Sequence, residues 1–288
     1  MDNNENRVLA CIDGSSLTEA VCDYASWIAQ RVKVPLKLLH TIDHHPETAT
    51  MTDLSGNIGI DSRDELMEEI TRLDQQRIKL RVQQGKVLLE TAKQRVMRSG
   101  IGDPILTQRH GSLVEALIDL EDVTRVLVLG LRGKVHENQP NKIGAKLESI
   151  IRSLHKPILV VNDSFKAPER IMLAYDGSAP ADKALDIVAN SPLYKGLVCH
   201  LVCVSKGDDK GKLLDIAANK LNQAGGIDVI AQKLAGKPEQ VLCDYQEAEN
   251  IDMTVMGAFS HTRLHDLLLG SFTAKMLLHS KKPLLLLR

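Results

Sequence analysis

The hydrophobic positions of the chain alternate between short continuous runs and longer segments with helical spacing. Runs such as residues 125–129 (RVLVL) and 284–287 (LLLL) are typical of strands that are buried on both faces of a parallel sheet. Between such runs, apolar residues recur three and four positions apart, as they do on one face of an amphipathic helix. Strands that alternate with helices predict an α/β fold built on doubly wound parallel sheets.

The first half of the chain is predicted to contain five strands, at residues 7–12, 35–41, 105–109, 125–129 and 158–162. Helices are predicted at residues 17–32 and 112–120, and a longer one begins at the capping-box spacing of Ser62 and Glu65 and ends near Gly100. At about 1.5 Å per residue, this long helix would exceed about 50 Å, which is more than a small sheet can cover. The sequence therefore predicts either a break in this helix or an end that overhangs the sheet.

The second half of the chain repeats the first. Residues 7–16 (RVLACIDGSS) return as residues 170–179 (RIMLAYDGSA), so that Asp13 and Asp176 occupy equivalent positions 163 residues apart. Each half also closes with Lys-Pro followed by an apolar strand. A repeat of this length indicates duplicated domains rather than a solenoid of small units.

Two domains are therefore predicted, at residues 1–162 and 163–288, with a linker at residues 162–169. The second domain repeats the order of strands and helices, with a shorter second helix at residues 212–223. Its third strand is predicted at residues 228–232 and its third helix at residues 238–247.

Composition narrows the class of protein without naming a function. The chain has 288 residues and 43% hydrophobic residues, which excludes a disordered chain. A formal net charge of −1 provides no field that would attract nucleic acid or a membrane surface. No signal segment is evident, and no apolar run approaches the roughly 20 residues that cross a bilayer. Five cysteines, an odd number, argue against a disulfide framework, so we expect a cytoplasmic protein with reduced thiols.

The candidate chemistry is concentrated in residues 255–272 (VMGAFSHTRLHDLLLGSF). An apolar strand ends at Gly257, Ser260 follows three residues later, and Gly270-Ser271 opens a segment with helical spacing. A helix start presents unsatisfied N–H groups and a partial positive charge, which favour an anion such as phosphate. Glycine and serine at these spacings are a weak signal alone, because short glycine motifs recur by chance.

This spacing resembles the nucleotide loop of the universal stress protein family, which has Gly, two residues, Gly, nine residues, then Gly and Ser or Thr. Gly257, Gly270 and Ser271 fit that pattern. Ser260 stands where the family has its second glycine, and its Cβ would narrow a phosphate cradle. The resemblance covers nearly the whole chain in two copies.

The resemblance implies two tandem, open, parallel five-stranded sheets of the adenine nucleotide alpha hydrolase-like type, each with strand order 3-2-1-4-5. In that order the first and fourth strands are adjacent, so Asp176 and Gly257 would end at one crevice, where such sheets bind ligands. The family's aspartate contacts the nucleoside end of ATP, which implies this role for Asp176. A capping role for the Asp-Gly-Ser sequence is the alternative. Val204 would offer its backbone to the adenine.

The implied cofactor is ATP or another adenine nucleotide, which Mg²⁺ would accompany. The candidate site in the second domain comprises Asp176, Val204, Gly257, Ser260, Gly270, Ser271 and Phe272.

The first domain departs further from the family pattern. Gly130 and Gly133 fit, but ten residues precede Gly144, and Ala145 replaces the residue with a hydroxyl group. Arg132 and Lys134 would still attract an anion. A vestigial site is nevertheless predicted near Asp13, and binding should be stronger in the second domain.

No metal site is predicted, although two groups of residues suggest zinc at first sight. Cys199 and Cys203 are four residues apart in a predicted strand, which separates them by about 13 Å, too far for one ion. The histidines at positions 40, 44 and 45 fall near a loop, where solvation is the simpler interpretation.

Three functional hypotheses follow from the sequence. The first is a cytoplasmic stress-response module for binding and signalling that holds an adenine nucleotide in its second domain. The second is a relative that binds no nucleotide and acts through protein partners. The third is a weak Mg²⁺-dependent nucleotide hydrolase, but no catalytic arrangement of residues can be identified, so enzymatic activity is not expected.

Assembly is a further implication of the resemblance. Single-domain members of the family pair through their fifth strands. Residues 158–162 and 284–287 should therefore pair within one chain and form an intramolecular pseudo-dimer. A further homodimer is left open.

Overall fold

The computed structural model describes residues 6–42, 60–133, 143, 145–205, 210–258 and 270–288. The elements of the first half are β1 (Arg7–Cys11), α1 (Thr18–Val32), β2 (Leu36–Ile42), α2 (Ile60–Arg98), β3 (Ile105–His110), α3 (Leu113–Asp119), β4 (Thr124–Gly130), α4 (Ala145–Ser153) and β5 (Ile158–Val161). The elements of the second half are β6 (Arg170–Ala174), α5 (Ala179–Asn190), β7 (Val198–Val204), α6 (Lys210–Ala224), β8 (Asp228–Leu234), α7 (Pro238–Ala248), β9 (Met253–Gly257), α8 (Ser271–His279) and β10 (Leu284–Leu287).

One continuous sheet runs through both halves. Its strand order is β3-β2-β1-β4-β5-β10-β9-β6-β7-β8, so each half has the predicted order 3-2-1-4-5. The order reverses between β1 and β4 in the first half, and between β6 and β9 in the second. These two switch points are where an open sheet of this type forms a crevice.

The two halves join through their closing strands. Strands β5 and β10 pair antiparallel, with Leu284 opposite Val160 and Leu286 opposite Ile158. The predicted pairing within one chain is confirmed by this register. Because each closing strand covers the other, the edges of the sheet are β3 and β8 instead.

Each face of the sheet carries one apolar core that includes residues of both halves. Helices α1, α2, α5 and α6 contribute to one core, and α3, α4, α7 and α8 contribute to the other. The strands at the join are buried along their whole length in both β5 and β10. This burial on both faces explains their uninterrupted apolar sequences.

Polar contacts also tie the halves together. The Nδ2 group of Asn162 donates hydrogen bonds to the carbonyls of Ser280 (2.7 Å) and Lys282 (3.0 Å). The Nε group of Arg31 donates to the carbonyl of Leu193 (2.7 Å), which lies in a short 3₁₀ helix of the second half. These hydrogen bonds between side chains and backbone add to the β5–β10 pairing that joins the halves.

The long helix α2 is continuous, so its length was predicted and the alternative of a break was wrong. Its 39 residues extend about 58 Å at about 1.5 Å per residue. The helix meets the sheet at Gly85, where an added Cβ would lie 2.0 Å from Gln108 Nε2 and 2.6 Å from His40 Cδ2. Gln108 also donates a hydrogen bond to the carbonyl of Val82 (3.2 Å).

Residues 60–81 of α2 overhang the sheet, and we call them the stalk. A helix that connects parallel strands begins at the carboxyl end of the first, so the stalk projects from the carboxyl edge of the sheet. Side chains 67–81 of the stalk are exposed. None of the described helices is both long and apolar enough to span a membrane.

Candidate functional site

Strands β6 and β9 bring the two ends of the predicted site together. They pair in parallel, with Ala174 opposite Met256, so Asp176 and Gly257 leave adjacent strands at the same edge. Val204 ends β7, which pairs with β6 on the other side. The carboxyl edge of the second half therefore gathers Asp176, Val204 and Gly257.

Asp176 forms a tight turn rather than a helix cap. The backbone N–H of Ser178 donates to Asp176 Oδ1 (2.9 Å), and Gly177 between them has φ of 77°. This left-handed conformation favours glycine. The cap of α5 is Ser178, whose hydroxyl accepts from the N–H of Ala181 (3.4 Å). The aspartate is thus held in an exposed position at the crevice while the serine caps the helix.

Tyr175 fixes the first turn of α5 against the sheet, and the sequence analysis did not single it out. Its hydroxyl donates to Asp182 Oδ1 (2.7 Å). Burial and this hydrogen bond both raise the pKa of Tyr175, so the hydroxyl stays protonated and keeps donating. A tyrosine directly before Asp-Gly-Ser was the available signal.

Gly257 faces protein rather than open space. A Cβ added there would lie 2.6 Å from the carbonyl carbon of Pro180 and 2.9 Å from the nitrogen of Ala181. The first turn of α5 therefore packs directly on the end of β9. Gly257 was predicted to be part of the nucleotide site, whereas its described contact is with helix backbone.

Gly270 is the N-cap of α8. Among the described residues, the nearest atom to a Cβ added at Gly270 is Thr273 Oγ1 at 3.9 Å, so none of them fills the space that the phosphate hypothesis requires. Within the described part of the chain, no side chain caps this end, and the first turn of α8 contains no acidic residue. Ser271 is exposed, and Phe272 is half-buried against the apolar core.

The start of α8 thus presents free N–H groups, and its first turn contains no carboxylate that would repel a bound phosphate. Ser260 and the nine residues after it lie outside the described residues. The contribution of that loop to the crevice stays a prediction.

The first half differs at the equivalent position. The N–H of Ser15 donates to Asp13 Oδ1 (3.0 Å), which reproduces the turn of Asp176. However, an added Cβ at Gly133 would lie only 2.8 Å from Asp13 Oδ2. The loop after β4 therefore packs directly on the aspartate. Gly144 lies outside the described residues, and Ala145 is the first residue of α4.

The histidines and cysteines considered for zinc have other surroundings. Cys199 and Cys203 are fully buried in β7. His200 Nδ1 is 2.8 Å from the hydroxyl of Tyr245, and burial lowers the pKa of His200. Among the described residues, no group of three or more potential metal ligands comes together. His44 and His45 lie outside them.

A sequence profile and a related protein both indicate the same family. The sequence profile of the universal stress protein family matches residues 5–162 and 206–288. The universal stress protein Slr1230 of Synechocystis is 34% identical over 284 residues, covering 98% of this chain and 99% of that protein.

Solved structures show the same fold over the full length of the chain. A universal stress protein from Archaeoglobus fulgidus has a TM-score of 0.70 at 20% identity, covering 99% of this chain and 98% of its own. A Pseudomonas aeruginosa structure has a TM-score of 0.60 at 12% identity, covering 98% and 93%.

The profile match leaves out residues 163–205, which include β6, β7 and the candidate residues Asp176 and Val204. Their equivalence to the first half rests on the internal repeat and on the strand order. With the profile match, the Synechocystis relative and the shared fold, the chain belongs to the universal stress protein family as a tandem member.

Proposed function

We propose that this protein is a binding and signalling module whose second half holds ATP or a related adenine nucleotide. The observation that carries the proposal is the start of α8, which no described side chain caps and which follows β9 at the edge where Asp176 lies. This half also keeps the Gly270-Ser271 pair of the family's nucleotide loop.

The phosphates are proposed to bind at the first turn of α8. Its N–H groups and the macrodipole favour an anion, and a charged hydrogen bond contributes about 1.5–3 kcal/mol. Gly270 leaves space for phosphate oxygens beside the backbone, and the Ser271 hydroxyl adds a donor. Mg²⁺ would compensate the charge of the phosphates, whose oxygens would supply ligands together with water.

The nucleoside is proposed to bind at the ends of β6 and β7. The exposed carboxylate of Asp176 can accept hydrogen bonds from ribose hydroxyls, in line with the nucleoside contact that the family resemblance implies. The end of β7 at Val204 would contact the adenine through its backbone. Because Gly177 and Ser178 hold Asp176 in its turn, this carboxylate is already placed before a ligand arrives.

Binding is proposed to be restricted to the second half. In the first half, Gly133 packs against the carboxylate of Asp13 and occupies the space beside it. Ala145 offers no hydroxyl where Ser271 does. We therefore expect one nucleotide per chain.

The test compares two matched variants of the full-length protein by calorimetry with ATP and Mg²⁺. Asp176→Ala and Asp13→Ala remove the same turn contact, one in each half. We expect one site in the parent protein, at least about a tenfold loss of affinity for Asp176→Ala, and no change for Asp13→Ala.

Two sites per chain, or equal losses in both variants, would overturn the asymmetric assignment. If the parent binds no ATP and carries no nucleotide when purified, the hypothesis of a protein that acts through partner surfaces replaces this one. A phosphate-release assay on the same samples tests for hydrolysis.

A further inference from the structure

A histidine is buried in the sheet of the second half, and the proposed nucleotide site makes no use of it. His200 lies in β7, opposite Met172 of β6, and is only 3% exposed. Its Nδ1 atom lies 2.8 Å from the hydroxyl of Tyr245 in α7, and the two rings meet edge to face with their centroids 5.7 Å apart. The pair therefore joins α7 to the second strand of this half.

The first half offers a comparison, because the sequence repeats. Lys37 occupies the equivalent position, opposite Leu9 of β1, but it is half-buried rather than buried. An ammonium there can keep its contact with water. A charge on the ring of His200 would instead lose most of its hydration. At this position, a group whose charge depends on pH and whose surroundings exclude water occurs in the second half alone.

The charged groups around the ring do not compensate a proton on it. Burial lowers the pKa of His200, the carboxylate of Glu249 at the end of α7 raises it, and the guanidinium of Arg170 in β6 lowers it. On the other side, β8 places Ile230 opposite His200, and the charged residue on that face of β8, Asp228, is exposed. The fold therefore favours the neutral ring.

Protonation of the ring changes what its contact with α7 can do. Burial raises the pKa of Tyr245, so the hydroxyl keeps its proton. A neutral imidazole can accept a hydrogen bond from that hydroxyl at Nδ1, but an imidazolium donates from both nitrogens, so the hydroxyl proton would need another acceptor. The new charge would also lie in the apolar core that contains Val202 and Leu242. Both effects weaken the attachment of α7 to β7.

The next residue of α7 holds the helix through separate hydrogen bonds. The Nε2 group of Gln246 donates to the hydroxyl of Thr254 in β9, and its Oε1 atom accepts from the hydroxyl of Ser280 (3.1 Å). An amide and two hydroxyls do not change charge near neutral pH. Acid should therefore act on the contact of α7 with β7 and leave its contact with β9.

We propose that the His200–Tyr245 contact is a pH-sensitive switch, which holds α7 on β7 while the imidazole is neutral and loosens the helix when the ring takes up a proton. The opening uncovers Val202 of the sheet and Leu242 of the helix. The contact is complete above the ordinary histidine pKa of about 6.5 and is lost as pH falls through the lower value of the folded state. The switch involves neither Asp176 nor the start of α8, so the inference stands or fails independently of the proposed function.

Hydrogen exchange of the full-length protein measures this opening, with rates corrected for the chemical effect of pH on exchange. A ring released from the core takes up about one proton between about pH 7.5 and about pH 5.5, so the protection of the α7 amides should fall up to about tenfold. This range lies above the ordinary carboxylate pKa of about 4, so carboxylates contribute little. Amides of α5, which packs on the opposite face of the sheet, should keep their protection.

Three variants separate the switch from a general sensitivity to acid. His200→Gln removes the titrating ring and keeps a group that can hydrogen-bond to Tyr245, so the protection of α7 should no longer depend on pH in this range. His200→Lys introduces the residue of the first half and should leave α7 open at both pH values. His279→Gln is the matched control, because His279 is exposed in α8, and it should behave like the parent protein.

Nuclear magnetic resonance of the parent protein tests the switch even where the His200 variants do not fold. The His200 ring should titrate below the ordinary value of about 6.5, and the α7 amides should lose protection in step with it. The proposal is overturned if the ring is protonated at or above the ordinary value while α7 stays protected. It is also overturned if the protection of α7 is the same at both pH values, or if His200→Gln loses protection as the parent does.

Discussion

Gly257 and Gly270 belong to one sequence motif but have opposite surroundings. Gly257 supports the backbone of Pro180 and Ala181, with no room for a side chain. Gly270 stands at the start of α8, where the nearest atom of the described residues to an added Cβ is 3.9 Å away. The first glycine therefore supports the packing of α5 on β9, and the second is the one that we propose contacts a ligand.

Replacing the two glycines by valine should consequently have different effects, on ATP binding at Gly270 and on stability at Gly257. Gly270→Val should keep the fold and lose ATP binding, because a branched side chain would fill the space beside the N–H groups. Loss of two charged hydrogen bonds would cost at least about a hundredfold in affinity. Ser271→Ala removes one hydroxyl contact and should cost less.

Gly257→Val should instead lower the free energy of unfolding by about 3 kcal/mol or more, because its side chain would overlap the backbone of α5. Urea unfolding and calorimetry with ATP on both variants distinguish the two roles. Equal stability of the two variants would contradict the packing role of Gly257. Unchanged ATP affinity in Gly270→Val would indicate that the start of α8 is structural.

At this scale the sequence identified the motif but not the neighbours of its residues. The spacing from Gly257 to Ser271 was sufficient to suggest a phosphate site, and the strand order that the family resemblance implies placed Asp176 nearby. It contained no information on Pro180, which follows β6 in a different part of the chain and reaches Gly257 only through the pairing of β6 with β9. The contact of Gly133 with Asp13 could not be predicted either, because these residues are brought together only by the pairing of β1 with β4.

At the scale of elements, the linker is anchored at the start of β6 and β9. Asp252 is only 3% exposed and accepts hydrogen bonds from the N–H groups of Glu169 and Arg170, each at 3.0 Å. Lys166 adds an ion pair at 2.6 Å. Burial alone would raise the pKa of Asp252, but these partners hold it below its ordinary value.

Asp252→Asn should lower the free energy of unfolding at neutral pH by about 2 kcal/mol, because the buried N–H groups lose a charged acceptor. A depressed carboxyl pKa stabilises the fold above the unfolded-state pKa of about 4, and this contribution is lost as pH falls through the folded value. The difference between parent and variant should therefore shrink below about pH 4.

Urea unfolding at several pH values measures this difference. Asp163→Asn, in the exposed part of the linker, is the control that should show little change. A difference that stays constant into acid would contradict the role assigned to the carboxylate. ATP binding should be unaffected, since Asp252 lies at the amino end of β9, away from the crevice.

The elements themselves were largely predictable from the sequence. Apolar runs located the central strands to within about two residues, because a strand that is buried on both faces requires a continuous apolar sequence. The length of α2 was predicted as well. Its docking point was not, because Gly85 lies in a helical pattern that gives no sign of His40 and Gln108, whose strands pack beneath it.

At the scale of the whole molecule, the join between the halves resembles the interior of one domain. The sheet crosses it without interruption, and each apolar core includes residues from both sides. Arg31 in α1 reaches the carbonyls of Leu193 and Lys195 in the second half. The repeat in the sequence predicted two domains, and the closing strands give a physical reason for them to behave as one.

We therefore expect the two halves to unfold as a single unit, which the chain's one tryptophan can report. Trp27 lies in α1 of the first half, with the guanidinium of Arg31 5.5 Å from its ring. Its fluorescence and the far-ultraviolet circular dichroism should change with the same urea midpoint, because losing either half would expose an apolar closing strand of the other.

The decisive variant is Gly257→Val, which disturbs packing only in the second half. In a coupled molecule it should lower the midpoint of the Trp27 transition as much as that of the circular dichroism. If the Trp27 transition keeps its parental midpoint while the circular dichroism shows an earlier phase, the halves unfold separately and the shared sheet does not couple them. If the two midpoints fall together, a loss of stability in one half lowers the stability of the whole chain. The physical reason is that neither β5 nor β10 can leave the join without exposing the other strand.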